Sequence, residues 1–121
     1  MKILVDTSVW IDHLHKKDPV LITHLQNSEV LLHPFIIGEL SLGTIKNKNN
    51  FMRELSHLTL ITEATHNEVI FFAQKHSSEG SGIGWIDVHL LASAALSNAH
   101  IYTKDKNFQK IADKTLRHKV Q

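Results

Sequence analysis

The strongest constraint on this chain is an alternation, in which short apolar runs that read as strands are separated by longer stretches with helical spacing. Residues 2–5, 29–32, 60–61 and 100–103 are the candidate strands. The stretches between them repeat apolar side chains every three or four positions, as in Val20, Leu21 and Leu25, or Phe51, Met52, Leu55 and Leu58. Parallel strands need a crossover connection, usually a helix. Strand–helix alternation along the whole length therefore predicts a parallel sheet covered on both faces. The expected fold is of the α/β class, a three-layer α/β/α sandwich with a short central parallel sheet, forming a single domain over residues 1–121.

Local signals punctuate the helices. Thr7-Ser8 offers a cap for the first and Asp18-Pro19 for the second, while Pro34 opens a third, expected over 35–45. Gly38 and Gly43 each cost that helix about 1 kcal/mol relative to alanine, with close backbone packing as one reason to keep them. Residues 46–50 read as a polar loop, 66–78 as a helix with a broad apolar face, and 79–84 as a glycine-rich loop. An alanine- and leucine-rich helix over 85–98 and a last helix over 105–114 complete the chain.

Composition removes several classes of function. The sequence has no cysteine, so disulfides, thiolate zinc sites and thiol nucleophiles are excluded together. No secretory core follows Met1 and no stretch is long enough to span a bilayer, so a cytoplasmic protein without a membrane partner is expected. A net charge of +1 is uninformative, but Lys104, Lys106, Lys110, Lys114, Arg117 and Lys119 face only Asp105 and Asp113 after residue 100. Such a run is either a solvated helix face or a surface for phosphates.

The acids carry the chemistry. Asp6 directly follows the first strand, Asp105 follows the last by one residue, and Glu39 lies about a turn inside the helix after the second. Parallel strands all point one way and deliver these three to one edge of the sheet, while Asp87 sits in the first turn of the buried helix. Taken singly, Asp6 reads as a helix cap, Asp87 as a helix-dipole partner, Asp105 as a turn residue and Glu39 as an exposed glutamate. Gathered together, carboxylates repel and must protonate or take a cation. Oxygen-only donors favour Mg²⁺ or Mn²⁺, and the chemistry that suits such a site is phosphoryl transfer.

Four segments carry a family resemblance: VDTSVWIDHL from Val5, GELSLG from Gly38, GWIDVHLLASA from Gly84 and TKDKNF from Thr103. In these the chain resembles the PIN domains, and within them the VapC toxins of bacterial toxin–antitoxin pairs. The resemblance implies a Mg²⁺-dependent endoribonuclease whose ion is held by Asp6, Glu39, Asp87 and Asp105, with Ser8 and Thr103 as supporting hydroxyls. It also implies RNA ends carrying 5′-phosphate and 3′-hydroxyl, a small antitoxin that covers the site with a basic side chain, and a homodimer. Lys104, Lys106 and Lys110 would then hold the RNA backbone. The alternative is a non-catalytic PIN scaffold for RNA binding or dimerisation.

Other constellations fall away. There is no GxSxG nucleophile elbow, no HExxH pair, and Ser8 stands where an aspartyl phosphatase would place a second aspartate. The glycines at 80, 82 and 84 follow a helix and not a strand, which is the wrong context for a phosphate cradle. Asp12 reads as a surface or supporting group, and the ten histidines as scattered surface residues, with His89 and His100 least settled. Phe35, Ile36, Phe51, Met52 and Leu55 are either core or an apolar docking groove for the antitoxin.

Overall fold

The computed structural model describes residues 1–76 and 82–116. Its elements run β1 (Ile3–Val5), α1 (Thr7–His15), α2 (Pro19–Gln26), β2 (Val30–Leu32), α3 (Pro34–Leu42) and α4 (Lys48–Leu55). They continue with β3 (Thr59–Leu60), α5 (His66–Lys75), α6 (Trp85–Leu96), β4 (His100–Tyr102) and α7 (Lys106–Thr115). The four strands form one parallel sheet in the order β3-β2-β1-β4. This is the predicted three-layer α/β/α architecture.

Strands β1 and β2 are buried at every position, as a parallel sheet with both faces covered requires. From β1 the chain steps to β2 and β3 on one side and returns to β4 on the other. Right-handed crossovers that run in opposite directions put their helices on opposite faces, and α1 packs on α3 while α5 packs on α6. The reversal makes the β1–β4 boundary the topological switch point, where the outgoing loops diverge and leave a crevice. No helix among the described residues is long and apolar enough to cross a membrane.

Several sequence expectations change in detail. The cap of α1 is Asp6, whose Oδ1 accepts the Thr7 N–H at 2.8 Å, and not Thr7 or Ser8. Helix α3 ends at Leu42, short of residue 45, because Gly43 is extended and its N–H turns back to the Leu40 carbonyl. Close packing does not explain the α3 glycines: a Cβ on Gly38 would meet nothing within 4 Å, and one on Gly43 only ordinary contacts. The polar stretch 46–50 is partly helical, since α4 starts at Lys48 after a left-handed Asn47. Leu58 packs on the core from beyond the end of α4. Residues 77–81, which include much of the expected glycine loop, and Arg117 and Lys119 lie outside the described residues.

The histidines are not all surface groups. His33 is fully buried and caps α3, its Nδ1 accepting the Phe35 N–H at 3.0 Å. Burial, against a smaller opposing pull from Glu63, lowers its pKa to about 4. His89 is also buried, on the ring of Phe35, and His13 accepts the Asp18 N–H. Of the five residues read as either core or groove, Ile36 and Leu55 are buried in the core and Phe51 and Met52 pack against it, while Phe35 is half-buried against His89.

Candidate metal centre

Asp6 leaves the carboxyl end of β1 beside the switch point and is oriented by hydroxyls from two elements. Its Oδ2 accepts from Thr103 Oγ1 at 2.7 Å and from Ser8 Oγ at 3.2 Å. Each hydroxyl has a single proton to donate, and each also accepts from the chain leaving β4. Lys104 N–H donates to Ser8 Oγ at 3.0 Å, and Asp105 N–H to Thr103 Oγ1 at 3.1 Å. The two strand ends on either side of the crevice are thus laced together by Ser8 and Thr103.

Asp105 caps α7, its Oδ1 accepting the Phe108 N–H at 3.0 Å. Glu39 projects from α3 into solvent and accepts from Thr7 Oγ1 at 3.0 Å. The sequence offered Thr7 only as a helix cap and not as a member of the acidic site. Its backbone bonds Asp6 and its hydroxyl bonds Glu39, so it couples two acids 33 positions apart. The one available signal was its place directly after Asp6.

Asp87, in the first turn of α6, has its pKa raised from 3.8 to about 6. Burial is the largest cause, followed by the charges of Asp6, Asp105 and Glu39, in that order. The other three acids picked out from the sequence therefore all lie near enough for their charges to be felt at Asp87. Among the described residues, no three or more His, Asp or Glu side chains are drawn together closely enough to hold an ion in these positions. The donor set suits a hard divalent cation even so: it is all oxygen, and a cation would relieve the repulsion felt at Asp87.

The lysines divide. Lys106 and Lys110 are exposed on α7. Lys104 instead places its ammonium 3.1 Å from Asp18 Oδ2 and 3.2 Å from the Tyr102 hydroxyl. Asp12 is exposed and lines a surface hollow with Lys16, Asp18 and Lys104.

A family model described as the PIN domain matches residues 3–114. The chain belongs to the PIN-domain family. Within it the chain is of the VapC type, being 40% identical to Ribonuclease VapC32 from two strains of Mycobacterium tuberculosis over 108 residues, 88% of this chain and 87% of that protein. Among solved structures, PAE2754 from Pyrobaculum aerophilum superposes with a TM-score of 0.63 at 16% identity, over 93% of this chain and 80% of that one. The structure of FitAB bound to an IR36 DNA fragment gives a TM-score of 0.63 at 19% identity, over 92% and 90%. Identities this low speak for the shared fold alone.

Proposed function

We propose that this chain is a Mg²⁺- or Mn²⁺-dependent endoribonuclease, the toxin of a type II toxin–antitoxin pair, with Asp6, Glu39, Asp87 and Asp105 as the residues that hold the ion. The observation that carries this reading is the pKa of Asp87, raised first by burial and then by the charges of the other three acids. A half-buried carboxylate under the charges of three others is a costly arrangement unless protons or a cation compensate. Similarity to a protein named Ribonuclease VapC32 supports RNA as the substrate.

When bound, a hard divalent ion supplies the Lewis acidity that activates water toward an RNA phosphodiester, leaving 5′-phosphate and 3′-hydroxyl ends. The protein's own part is positional. Ser8, Thr103 and the Thr7 N–H fix both oxygens of Asp6, Thr7 ties Glu39 to the same corner, and Asp105 is held as a helix cap. Lys106 and Lys110 hold phosphates without reading sequence, whereas Lys104 is committed to Asp18 and Tyr102. The antitoxin covers the acids, and a basic side chain inserted among them provides the neutralisation that a cation otherwise would.

The purified protein should cut structured RNA in Mg²⁺ and stop cutting in EDTA. Asp87→Asn should abolish cleavage yet stabilise the metal-free protein by on the order of 1 kcal/mol, because the amide keeps the shape and removes one of four like charges. Mg²⁺ should raise the melting temperature of the wild type more than that of the variant. A helix-dipole partner behaves oppositely: Asp87→Asn would destabilise, with equal Mg²⁺ response in both proteins. That result, or undiminished cleavage in EDTA, would remove the metal mechanism. RNA binding without cleavage or Mg²⁺ response would mark a non-catalytic scaffold.

Self-association belongs to the same reading and has a face to use. A groove of about 450 Å³ between α5 and α6 is lined by Glu68, Phe71, Phe72 and Lys75 from one helix and Ala92 and Leu96 from the other. Phe71 and Leu96 are 59% and 52% exposed, which is costly for large apolar side chains left in water. The α5 stripe reads acid, aromatic, aromatic, base. A two-fold axis crossing α5 between Phe71 and Phe72 sets Glu68 of one copy against the partner's Lys75, twice over. Such self-complementarity is what an isologous interface requires, so the occupant is a second copy of this chain.

A further inference from the structure

Strand β4 has β1 on one side and no strand on the other among the described residues. Backbone groups alternate in direction along a strand. Those of His100 and Tyr102 meet the β1 side, through His100 N–H to the Lys2 carbonyl and the Tyr102 carbonyl from Asp6 N–H, both at 2.9 Å. The Ile101 carbonyl and the Thr103 N–H point to the open edge. Gln109, one turn into α7, meets both: Nε2 donates to the Ile101 carbonyl at 2.8 Å, and Oε1 accepts from Thr103 N–H at 3.0 Å. A side-chain amide offers the donor and acceptor of a peptide unit, so Gln109 stands where the peptide of a next strand would. Nε2 also donates to Asp113 Oδ1 at 3.0 Å, an exposed bond additional to the two backbone bonds.

We propose that Gln109 is a positioning residue for the acidic site: by clamping the Ile101 carbonyl and the Thr103 N–H, it fixes the Thr103 hydroxyl that sets Asp6 relative to Asp105. Gln109 touches neither carboxylate. Its effect passes through Thr103, which is buried and whose hydroxyl both donates to Asp6 Oδ2 and accepts the Asp105 N–H. Without the clamp, the end of an edge strand is held on one side only, and the hydroxyl between the two acids loses its anchor. Gln109 lies one residue past the last family segment, which closes at Phe108. The inference rests on reading the four acids as a metal site.

The test compares wild type, Gln109→Leu and Asp113→Ala by calorimetric titration with Mn²⁺, by RNA cleavage, and by amide exchange at Thr103. Gln109→Leu removes both backbone bonds at similar volume. It should weaken Mn²⁺ affinity on the order of tenfold, as loss of an outer-shell partner does, lower kcat with little change in KM for RNA, and speed exchange at Thr103. Asp113→Ala cuts only the additional bond and should leave Mn²⁺ affinity and kcat as in wild type. If Gln109→Leu does not fold, Gln109→Glu keeps an acceptor for Thr103 N–H but loses the donor to Ile101, and should show the same losses. A folded Gln109 variant with wild-type Mn²⁺ affinity and kcat overturns the proposal, as does an equal loss in Asp113→Ala. A wild type that takes up no Mn²⁺ and cuts no RNA fails earlier, at the reading of the acids.

Discussion

Asp18 and Asp87 are both taken out of water to some degree, yet their acidities move in opposite directions. For each, burial is the largest influence and raises the pKa. At Asp87 the neighbours are acids and add to the rise. At Asp18 they are donors: the Tyr102 hydroxyl at 2.5 Å, the Lys104 ammonium, and the N–H groups of Leu21 and Val20. Together they outweigh burial and lower the pKa from 3.8 to about 2. A folded-state pKa below the unfolded value stabilises the protein above the unfolded pKa, and that stability is lost as pH falls through the folded one. Asp18→Asn still caps α2, so it should cost about 1 kcal/mol at pH 7. The linkage bound is about 2.5 kcal/mol, but the Lys104 side chain is 41% exposed and its pairing is screened. The gap between wild type and variant, read from chemical denaturation at a series of pH values, should close between pH 4 and pH 2. A gap independent of pH would show that the carboxylate charge is not what Tyr102 and Lys104 hold. Little of this network was legible beforehand. Asp18 was recognised as a cap from Asp18-Pro19, but Tyr102 lies 84 positions away, and no local pattern announces such a contact. The buried His33 was missed for a related reason: a histidine in sequence looks polar, and only the fold shows that its ring closes a helix.

At the level of elements, the sequence was most informative where one physical demand acts alone. Short runs such as Ile3–Val5 and Val30–Leu32 are apolar because both sheet faces are covered, and a single window shows it. The acids were legible for a similar reason, since Asp6 and Asp105 each sit where a strand gives way to a helix, and a parallel sheet puts such junctions at one edge. Helix ends were less legible, because they depend on which backbone group closes the last turn. Helix α3 shows this, stopping at Leu42 once Gly43 becomes extended. The same helix carries Gly38, one residue before Glu39, and nothing in the fold requires a glycine there. Gly38→Ala should therefore stabilise the protein by about 0.5–1 kcal/mol, the intrinsic helix preference plus reduced freedom of the unfolded chain. A urea midpoint shifted upward with unchanged slope would show it. Stabilisation together with lost RNA cleavage would mean that the open space beside Gly38 is needed by substrate. A destabilised variant would contradict the open surroundings of that position.

For the molecule as a whole, the order of strands decides where chemistry happens, and the outer faces of the helices decide what the protein meets. The topology β3-β2-β1-β4 puts Asp6 and Asp105, which follow β1 and β4, at the single reversal of strand order. The α5–α6 groove is lined by other residues, so the proposed self-association is separable by mutation from the proposed cleavage. The broad apolar face of residues 66–78 was visible in the sequence, but which side chains remain uncovered was not, because that depends on how much of α5 is covered by α6. If a second copy covers the groove about the two-fold proposed, three variants behave in a linked way. Phe71→Asp puts a charge at the centre of the apolar contact and should leave a monomer by analytical ultracentrifugation at concentrations where the wild type is a dimer. Lys75→Glu makes both ends of the stripe acidic, Glu68→Lys makes both basic, and each should self-associate more weakly because like charges now meet across the axis. Glu68 also closes the capping box with Thr65, so its replacement costs some helix stability, and a thermal melt must show that the variant is folded. Mixing the two charge variants should restore a dimer, since the acidic stripe of one matches the basic stripe of the other in the antiparallel arrangement. A wild type that stays monomeric removes the second copy as occupant. A dimer indifferent to Phe71→Asp places the contact on another face, and failure of the mixed pair to associate rules out the axis between Phe71 and Phe72.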